Sequence, residues 1–271
     1  MLFTNLFQYS FVLRGLEAGV IVALIAPLIG IFLVLRRYSL IADTLSHVSL
    51  AGLAIGSLIG INPVLTALGA TLLASLGIER LRTTKKIYGE SALAIFLSGS
   101  LALAVVLLSM AHGFSTNLLN YLFGSIVTVT NGDVITIAIL AIIVIALLIA
   151  FYKELVYITF DEEAARVSGI PTRFINTLLI LLSAMTVSLS IPIVGVLLIS
   201  ALIVFPVITA LQFKKGLKTT IIYAEIISII SVLIGIVASF YLNLAAGGVI
   251  VLVMVIIFSM TLLFQKFLSS L

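Results

Sequence analysis

Long apolar runs separated by short polar breaks occupy almost the whole chain. A membrane-crossing helix needs about 17–25 mostly apolar residues, and nine runs approach or reach that length. The second and third are short, and only the region of Pro192 separates the sixth from the seventh, so eight to ten helices fit the pattern. No long polar linker interrupts the series, so we predict an all-α, polytopic membrane protein with a single domain over residues 1–271. The nine runs cover residues 12–35, 41–60, 63–79, 91–111, 133–152, 174–191, 193–212, 219–241 and 246–265.

Composition agrees with this pattern and excludes several classes of protein. The chain is 63% hydrophobic and 9% charged, whereas a soluble domain carries about 25% charged residues. It has no cysteine, so disulfides and thiolate metal sites are excluded. The first residues contain neither a basic segment nor a small-residue cleavage site, so we expect no removable signal peptide.

Lysine and arginine residues predict the orientation of the chain in the membrane. All but one of the 14 basic residues follow the first, third, fifth, seventh or ninth run, the exception being Arg14. Since cytoplasmic loops carry the excess of these residues, the N-terminus is predicted outside and the C-terminus inside. The net charge of +4 therefore belongs to short loops, and we expect no nucleic-acid partner.

Asp43 and His47 are a carboxylate and an imidazole in an otherwise apolar segment. Residues at i and i+4 share one helical face, about 6 Å apart at Cβ. An ionised aspartate inside a membrane costs roughly 2.5–3.5 kcal/mol, which a partner, water or a bound cation must offset. The residues alone leave two interpretations open: a cation site, or Asp43 as a helix N-cap with His47 in one interhelical hydrogen bond.

Five segments, taken in order, resemble the permeases of metal-uptake ABC transporters, which import zinc, manganese or iron(II). The first is "APLIGIFLVLRRYSLIADTLSHVSLAGLAIG" at residues 26–56, whose "ADTLSH" form is most similar to the zinc-uptake branch. One departure is Asn243, because the family usually has Asp-x-Pro in that loop, which puts any metal contact there in doubt. The other segments are "YLFGSIVTVTNGD" (121–133), "ITFDEEAARVSGI" (158–170), "IVGVLLISALIVFPVITA" (193–210) and "ASFYLNLAAGGVIVL" (238–252).

The resemblance implies a homodimer in a prokaryotic cell membrane, with the transport path on its two-fold axis. Cytoplasmic ATPase subunits would bind the ATP and drive transport, and an extracytoplasmic metal-binding protein would deliver the cargo. The chain itself lacks a Walker A pattern and needs no cofactor of its own, so it is predicted to be a transport subunit and not an enzyme. Asp43 and His47 from two chains would present nitrogen and oxygen ligands that suit zinc. Manganese also accepts such ligands, and we favour zinc.

Glu225 is a second acidic residue within an apolar run. An ionisable group there indicates function by default, so Glu225 is predicted to complete a metal site with Asp43 and His47 or to form a gate. The alternatives are an ion pair with Lys218 or a protonated carboxyl. A proton-coupled secondary metal transporter, with Asp43 and Glu225 as its gating acids, is the competing class of function.

Three simpler assignments concern other polar residues in or next to the runs. Glu17 is three residues after Arg14 and is expected to form an intrahelical ion pair with it. Asp133 is predicted to cap the fifth run, and His112 and Tyr121 to lie at the membrane interface.

The loop at residues 153–173 contains signals for a helix of about two turns. Asp161 is a candidate N-cap, acidic residues follow in the first turn, and Gly169 provides a stop. The alanines at 164 and 165 and Val167 give a small apolar surface. The resemblance implies a coupling helix that docks on the ATPase, and the alternative is a solvated connector. The predicted coupling residues, of which Glu162, Glu163 and Arg166 are expected to be exposed, are Asp161, Glu162, Glu163, Ala164, Arg166 and Gly169.

Overall fold

The computed structural model describes residues 8–83, 88–110, 122–196 and 198–269, and these ranges contain helices and no strands. The all-α prediction is therefore confirmed. His112, Tyr121 and Lys85 lie outside the described residues. The helices are α1 (Ser10–Leu35), α2 (Ser39–Ile59), α3 (Pro63–Thr83), α4 (Gly89–Met110), α5 (Asn131–Ala150), α6 (Tyr152–Phe160), α7 (Glu162–Val167), α8 (Thr172–Val194), α9 (Ile199–Leu211), α10 (Leu217–Leu242) and α11 (Ala246–Ser269).

Eight of these helices are long and apolar enough to cross a membrane, and α9 is a shorter apolar helix of 13 residues. This agrees with the prediction of about nine crossings. At 1.5 Å per residue α9 measures about 20 Å, less than a hydrocarbon core of about 30 Å. The residues that follow α8 lie inside the protein, since Gly195 and Val196 are buried. Backbone that is not helical is tolerated at that depth only when protein surrounds it.

Three helices, α1, α2 and α8, form the centre of the bundle, because most of their apolar segments are buried. In the outer helices α3, α4, α5, α10 and α11, only 17–33% of the apolar segment is buried, and the rest is partly or fully exposed. Such surfaces would cause aggregation in water, but they are the expected surfaces of helices that face lipid. The central helices therefore carry the groups that lipid cannot reach.

The boundary between the sixth and seventh runs differs from the prediction. Helix α8 continues through Pro192 and ends at Gly195, which has a φ of +83°. A proline inside a helix lacks one backbone donor and crowds the carbonyl four residues earlier, yet α8 continues for two residues beyond Pro192. The Pro192 carbonyl, close to the helix end, accepts a hydrogen bond from the Ser125 amide at 3.2 Å. The helix ends instead where glycine can adopt the left-handed backbone conformation.

The fifth run begins earlier than predicted, and a further helix follows it. The N-cap of α5 is Thr130, and Asp133, the third residue of the helix, completes a capping box with it. The Asp133 backbone amide donates to Thr130 Oγ1 at 3.2 Å, and the Asp133 carboxylate accepts from the Thr130 amide at 2.9 Å. Asp133 therefore supports the cap and is not the N-cap itself. The chain then bends at Phe151 and forms α6, where the sequence had suggested a loop.

Contacts between helix ends place the basic residues at one end of the bundle. Arg36, after α1, contacts Asn176 near the start of α8. Arg82, in the last turn of α3, contacts Tyr38 just before α2. Gln265, near the end of α11, donates to the backbone oxygen of Gln212 after α9. The ends of alternate helices thus meet on one side, as the distribution of lysine and arginine predicted.

Candidate metal site and cytoplasmic helix

Asp43 and His47 face each other on adjacent turns of α2, with Asp43 Oδ1 4.0 Å from His47 Nε2. Helix α2 begins at Ser39, its N-cap position is Tyr38, and no side chain caps it. Asp43 therefore lies in the second turn and does not cap the helix. The interpretation of Asp43 as an N-cap is wrong, and the carboxylate must be explained in another way.

Three buried hydroxyl side chains near Asp43 and His47 satisfy their own hydrogen bonds. The hydroxyls of Thr44, Ser46 and Ser49 each donate to a backbone oxygen three or four residues earlier. Within the part of the chain that the structure describes, the Asp43 carboxylate has only the contact with His47, and the buried His47 Nδ1 has no hydrogen-bond partner. The Asp43 side chain is 39% exposed, so its oxygens remain accessible to a ligand.

Helix α2 is held closely by its neighbours α3, α4, α8 and α9. A Cβ atom added to Gly52 would lie 2.6 Å from Ala67 Cα. Small residues of this kind let helix backbones approach each other in membrane proteins. The close packing fixes α2, and with it the direction of the carboxylate and the imidazole.

Glu225 does not join Asp43 and His47 in this chain. It lies on α10, which packs against α1, α9 and α11, and both of its carboxylate oxygens are buried without a hydrogen-bond partner. No ion pair with Lys218 forms among the described residues. The described residues also contain no group of three or more His, Cys, Asp or Glu side chains placed to hold a metal. The role of Glu225 as a ligand or gate stays a prediction.

Arg14, Glu17 and Asn243 lie at the opposite end of the bundle, and the structure shows the surroundings of each. The expected ion pair between Arg14 and Glu17 does not form in the described structure: Glu17 is exposed, and Arg14 Nε is buried without a partner. Asn243 is the residue that ends α10, with φ of 51° and ψ of 44°. Asparagine tolerates this left-handed conformation well, so Asn243 has a backbone role at this position.

The short helix α7 forms where its capping signals predicted. Asp161 Oδ1 accepts a hydrogen bond from the Ala164 amide at 2.8 Å, and Gly169 follows the helix with a φ of +85°. Val167 is 89% exposed, whereas Ala165 is fully buried. The outward surface of α7 therefore consists of Glu163, Arg166 and Val167, and Ala165 belongs to the packing beneath it.

Glu162 differs from the other two charged residues of α7, and the expectation that it is exposed is wrong. Its Oε2 accepts a hydrogen bond from Arg36 Nη2 at 2.8 Å, and its Oε1 accepts one from Asn176 Nδ2 at 3.0 Å. Arg36 Nη1 also donates to Asn176 Oδ1 at 2.6 Å. These contacts could not be predicted from the sequence, because 126 residues separate Arg36 from Glu162.

The chain belongs to the ABC 3 transport family, whose match covers residues 8–265. It is thus a multi-pass membrane protein of an ABC transport system. It is 36% identical to the manganese transport system membrane protein MntC of Listeria monocytogenes over 97% of this chain and 94% of that protein. It is 31% identical to the high-affinity zinc uptake system membrane protein ZnuB of Haemophilus influenzae over 94% and 98%. The structure of PsaBC from Streptococcus pneumoniae in complex with Fab matches with a TM-score of 0.86 and 29% identity, over 96% of this chain and 94% of that chain.

Proposed function

We propose that this chain is the membrane-spanning permease subunit of an ABC importer that moves a divalent transition metal into the cytoplasm. The observation that supports this most strongly is the Asp43–His47 pair, two metal-ligand side chains left without other hydrogen-bond partners on a buried helix. A separate cytoplasmic ATPase would bind ATP, and an extracytoplasmic protein would deliver the metal. The names of relatives that align over nearly their whole length specify metal transport.

A homodimer would complete the ligand set. One chain supplies one carboxylate and one imidazole, whereas zinc in proteins usually has four ligands. Two chains meeting on the Asp43 face would supply two of each. The exposed fraction of the Asp43 side chain is consistent with a site that closes only between chains. A set of so few ligands on two separate helices also allows release, which a transport site requires.

The residues of the proposed site do not by themselves select one divalent metal. A carboxylate–imidazole set accepts zinc, manganese and iron(II). The relative named for manganese is 36% identical and the one named for zinc is 31% identical. Zinc, which the "ADTLSH" segment favours, therefore stays a prediction, with manganese and iron(II) as its alternatives.

The experiment that tests the function is metal-stimulated ATP hydrolysis by the permease reconstituted with its ATPase. Zinc, manganese and iron(II) are compared in the same proteoliposomes. We expect the ATPase to co-purify with the permease and one of the three metals to raise hydrolysis above the metal-free rate. Membership of an ABC family favours this outcome over proton-coupled secondary transport. Uptake that survives ATP depletion and stops with a protonophore would contradict the proposal.

A further inference from the structure

We propose that Glu162, Arg36 and Asn176 form a rigid link that transmits movement of α7 to α2 and so to the Asp43–His47 pair. The proposal rests on the proposed function, in which α7 docks on an ATPase. In this arrangement Glu162 and Arg36 are positioning residues. They touch no metal and act by fixing one helix to another.

The first observation is the closed ring of hydrogen bonds that joins these three side chains. Glu162 accepts from both Arg36 and Asn176, and Arg36 also donates to Asn176, at 2.6–3.0 Å. The Arg36 side chain is only 5% exposed. Hydrogen bonds between charged groups are shorter and stronger than neutral ones, and breaking a buried pair leaves an uncompensated charge. The ring is therefore a connection that resists opening.

The second observation is the construction of the corner that contains Arg36. Arg36 is the residue that ends α1, Arg37 has a φ of +60°, and α2 starts at Ser39. The guanidinium groups of Arg36 and Arg82 lie 4.8 and 4.0 Å from the centre of the Tyr38 ring. Cations at these distances are attracted by an aromatic face.

Arg82 also donates to the Tyr38 hydroxyl at 2.6 Å and lies 3.6 Å from Glu79. The corner is thus attached to α3 as well as to α7 and α8. The corner between α1 and α2 has only three residues, and it is held by α3 on one side and by α7 and α8 on the other. It therefore has little freedom to bend when α7 is displaced. A displacement of Glu162 therefore moves the first turn of α2 by nearly the same distance.

The third observation is the position of the metal-ligand pair on the helix that leaves this corner. Asp43 is in the second turn of α2 and His47 is one turn further. The helix between the corner and His47 is continuous. A displacement or rotation at Ser39 therefore changes the direction of both side chains, and in a dimer it changes the separation of the two pairs.

Glu162→Gln tests the link, because glutamine keeps the length of glutamate but loses its charge and one acceptor. The matched control is Glu90→Gln, the same change at an exposed residue in the first turn of α4. Each variant is purified with its ATPase and reconstituted, and metal uptake is measured per ATP hydrolysed. We expect Glu162→Gln to lower this ratio about tenfold, a size consistent with the loss of one hydrogen bond between charged groups. Co-purification of the ATPase and the rate of ATP hydrolysis should match those of Glu90→Gln, whereas the thermal unfolding midpoint should be lower, because the buried Arg36 loses its charged partner.

The charge swap Glu162→Arg with Arg36→Glu provides the rescue. The Asn176 amide both donates and accepts, so by rotating it can serve the exchanged pair. We expect the swap to recover only part of the lost coupling, because Arg166, 3.9 Å from Glu162 Oε1, would repel an arginine at position 162. Each single reversal should stay uncoupled. The link would be overturned by a wild-type ratio in Glu162→Gln or by a swap that is no better than either single change. Loss of ATPase co-purification in Glu162→Gln would also overturn it. A wild-type complex without metal uptake would instead overturn the proposed function.

Discussion

Asp43 and His47 differ from their polar neighbours in how their hydrogen-bonding capacity is used. Hydroxyl groups on a helix can bond to the preceding turn, as Thr44, Ser46 and Ser49 do. A carboxylate has only acceptors and finds no such partner in its own helix. The sequence identified this pair by residue type and spacing. Whether Asp43 capped α2 depended on where the helix starts, which the structure places at Ser39.

Replacing His47 with alanine should abolish metal transport and leave assembly with the ATPase intact. The substitution removes the imidazole ligand, and its effect on packing is confined to a side chain that is 17% exposed. Uptake of the transported metal into cells, with co-purification of the ATPase as control, measures the two properties. Near-normal uptake would show that His47 is only a packing residue.

Gly247 and Gly248 form a matched pair for testing the packing at the C-terminal end of α8. A Cβ at Gly247 would meet the carbonyl oxygen of Val194 and lie 2.7 Å from that of Phe123, whereas a Cβ at Gly248 meets nothing within 4 Å. We expect Gly247→Ala to cost about 1–3 kcal/mol by overpacking. Gly248→Ala should be neutral or slightly stabilising, because alanine favours the helix. Thermal unfolding of the purified variants measures both, and equal midpoints would contradict the packing described here.

At the scale of the elements, local signals predicted α7 well and the helix boundaries around it less well. Asp161 and Gly169 bound α7 as the rules for helix ends suggest. The extra helix α6 was missed because no glycine or proline marks the bend at Phe151. Pro192 was taken as a break, but the helix continues through it to Val194, and the Ser125 amide of a distant segment bonds to the Pro192 carbonyl near the helix end. Tertiary contacts of this kind leave no local pattern in the sequence.

The double variant Glu163→Lys with Val167→Asp should weaken binding of the ATPase without unfolding the membrane domain. Both residues are on the outward surface of α7, and Val167 is almost fully exposed. The control is Glu90→Lys, a charge reversal at an exposed residue outside α7. Co-purification of the ATPase is the measurement, and we expect at least a tenfold loss, roughly 1.4 kcal/mol. Unchanged recovery would make α7 a connector only.

At the scale of the whole molecule, the apolar runs predicted about nine crossings, which agrees with the eight long apolar helices and the shorter α9. The basic residues predicted which helix ends lie on one side of the bundle, and the orientation in the membrane stays a prediction. Neither could predict the ring of Arg36, Glu162 and Asn176, because residues from three distant segments form it. The same holds for Glu225, which the sequence grouped with Asp43 but which lies on a helix that packs elsewhere. Contacts between helices that are distant in sequence depend on how the bundle packs, and the spacing of residues along the sequence does not predict them.

The absence of cysteine from the sequence allows a direct test of orientation. Single cysteines replace Lys215 and Leu244, which are exposed and lie at opposite ends of α10. An impermeant thiol reagent added to intact cells should label the cysteine at position 244 and leave that at position 215 unlabelled until the membrane is opened. The reverse pattern would mean that the chain is inserted with the basic loops outside.

The most direct test of the central claim is uptake of radioactive zinc and manganese by the complex carrying Asp43→Asn. Asparagine keeps the shape of aspartate but loses the negative charge that offsets desolvation of a divalent cation. Asp133→Asn is the control, since it makes the same change in the capping box of α5. We predict that Asp43→Asn abolishes uptake of the transported metal while expression, ATPase association and the control variant stay normal. Near-normal uptake by Asp43→Asn would contradict the account and place the metal path elsewhere in the permease.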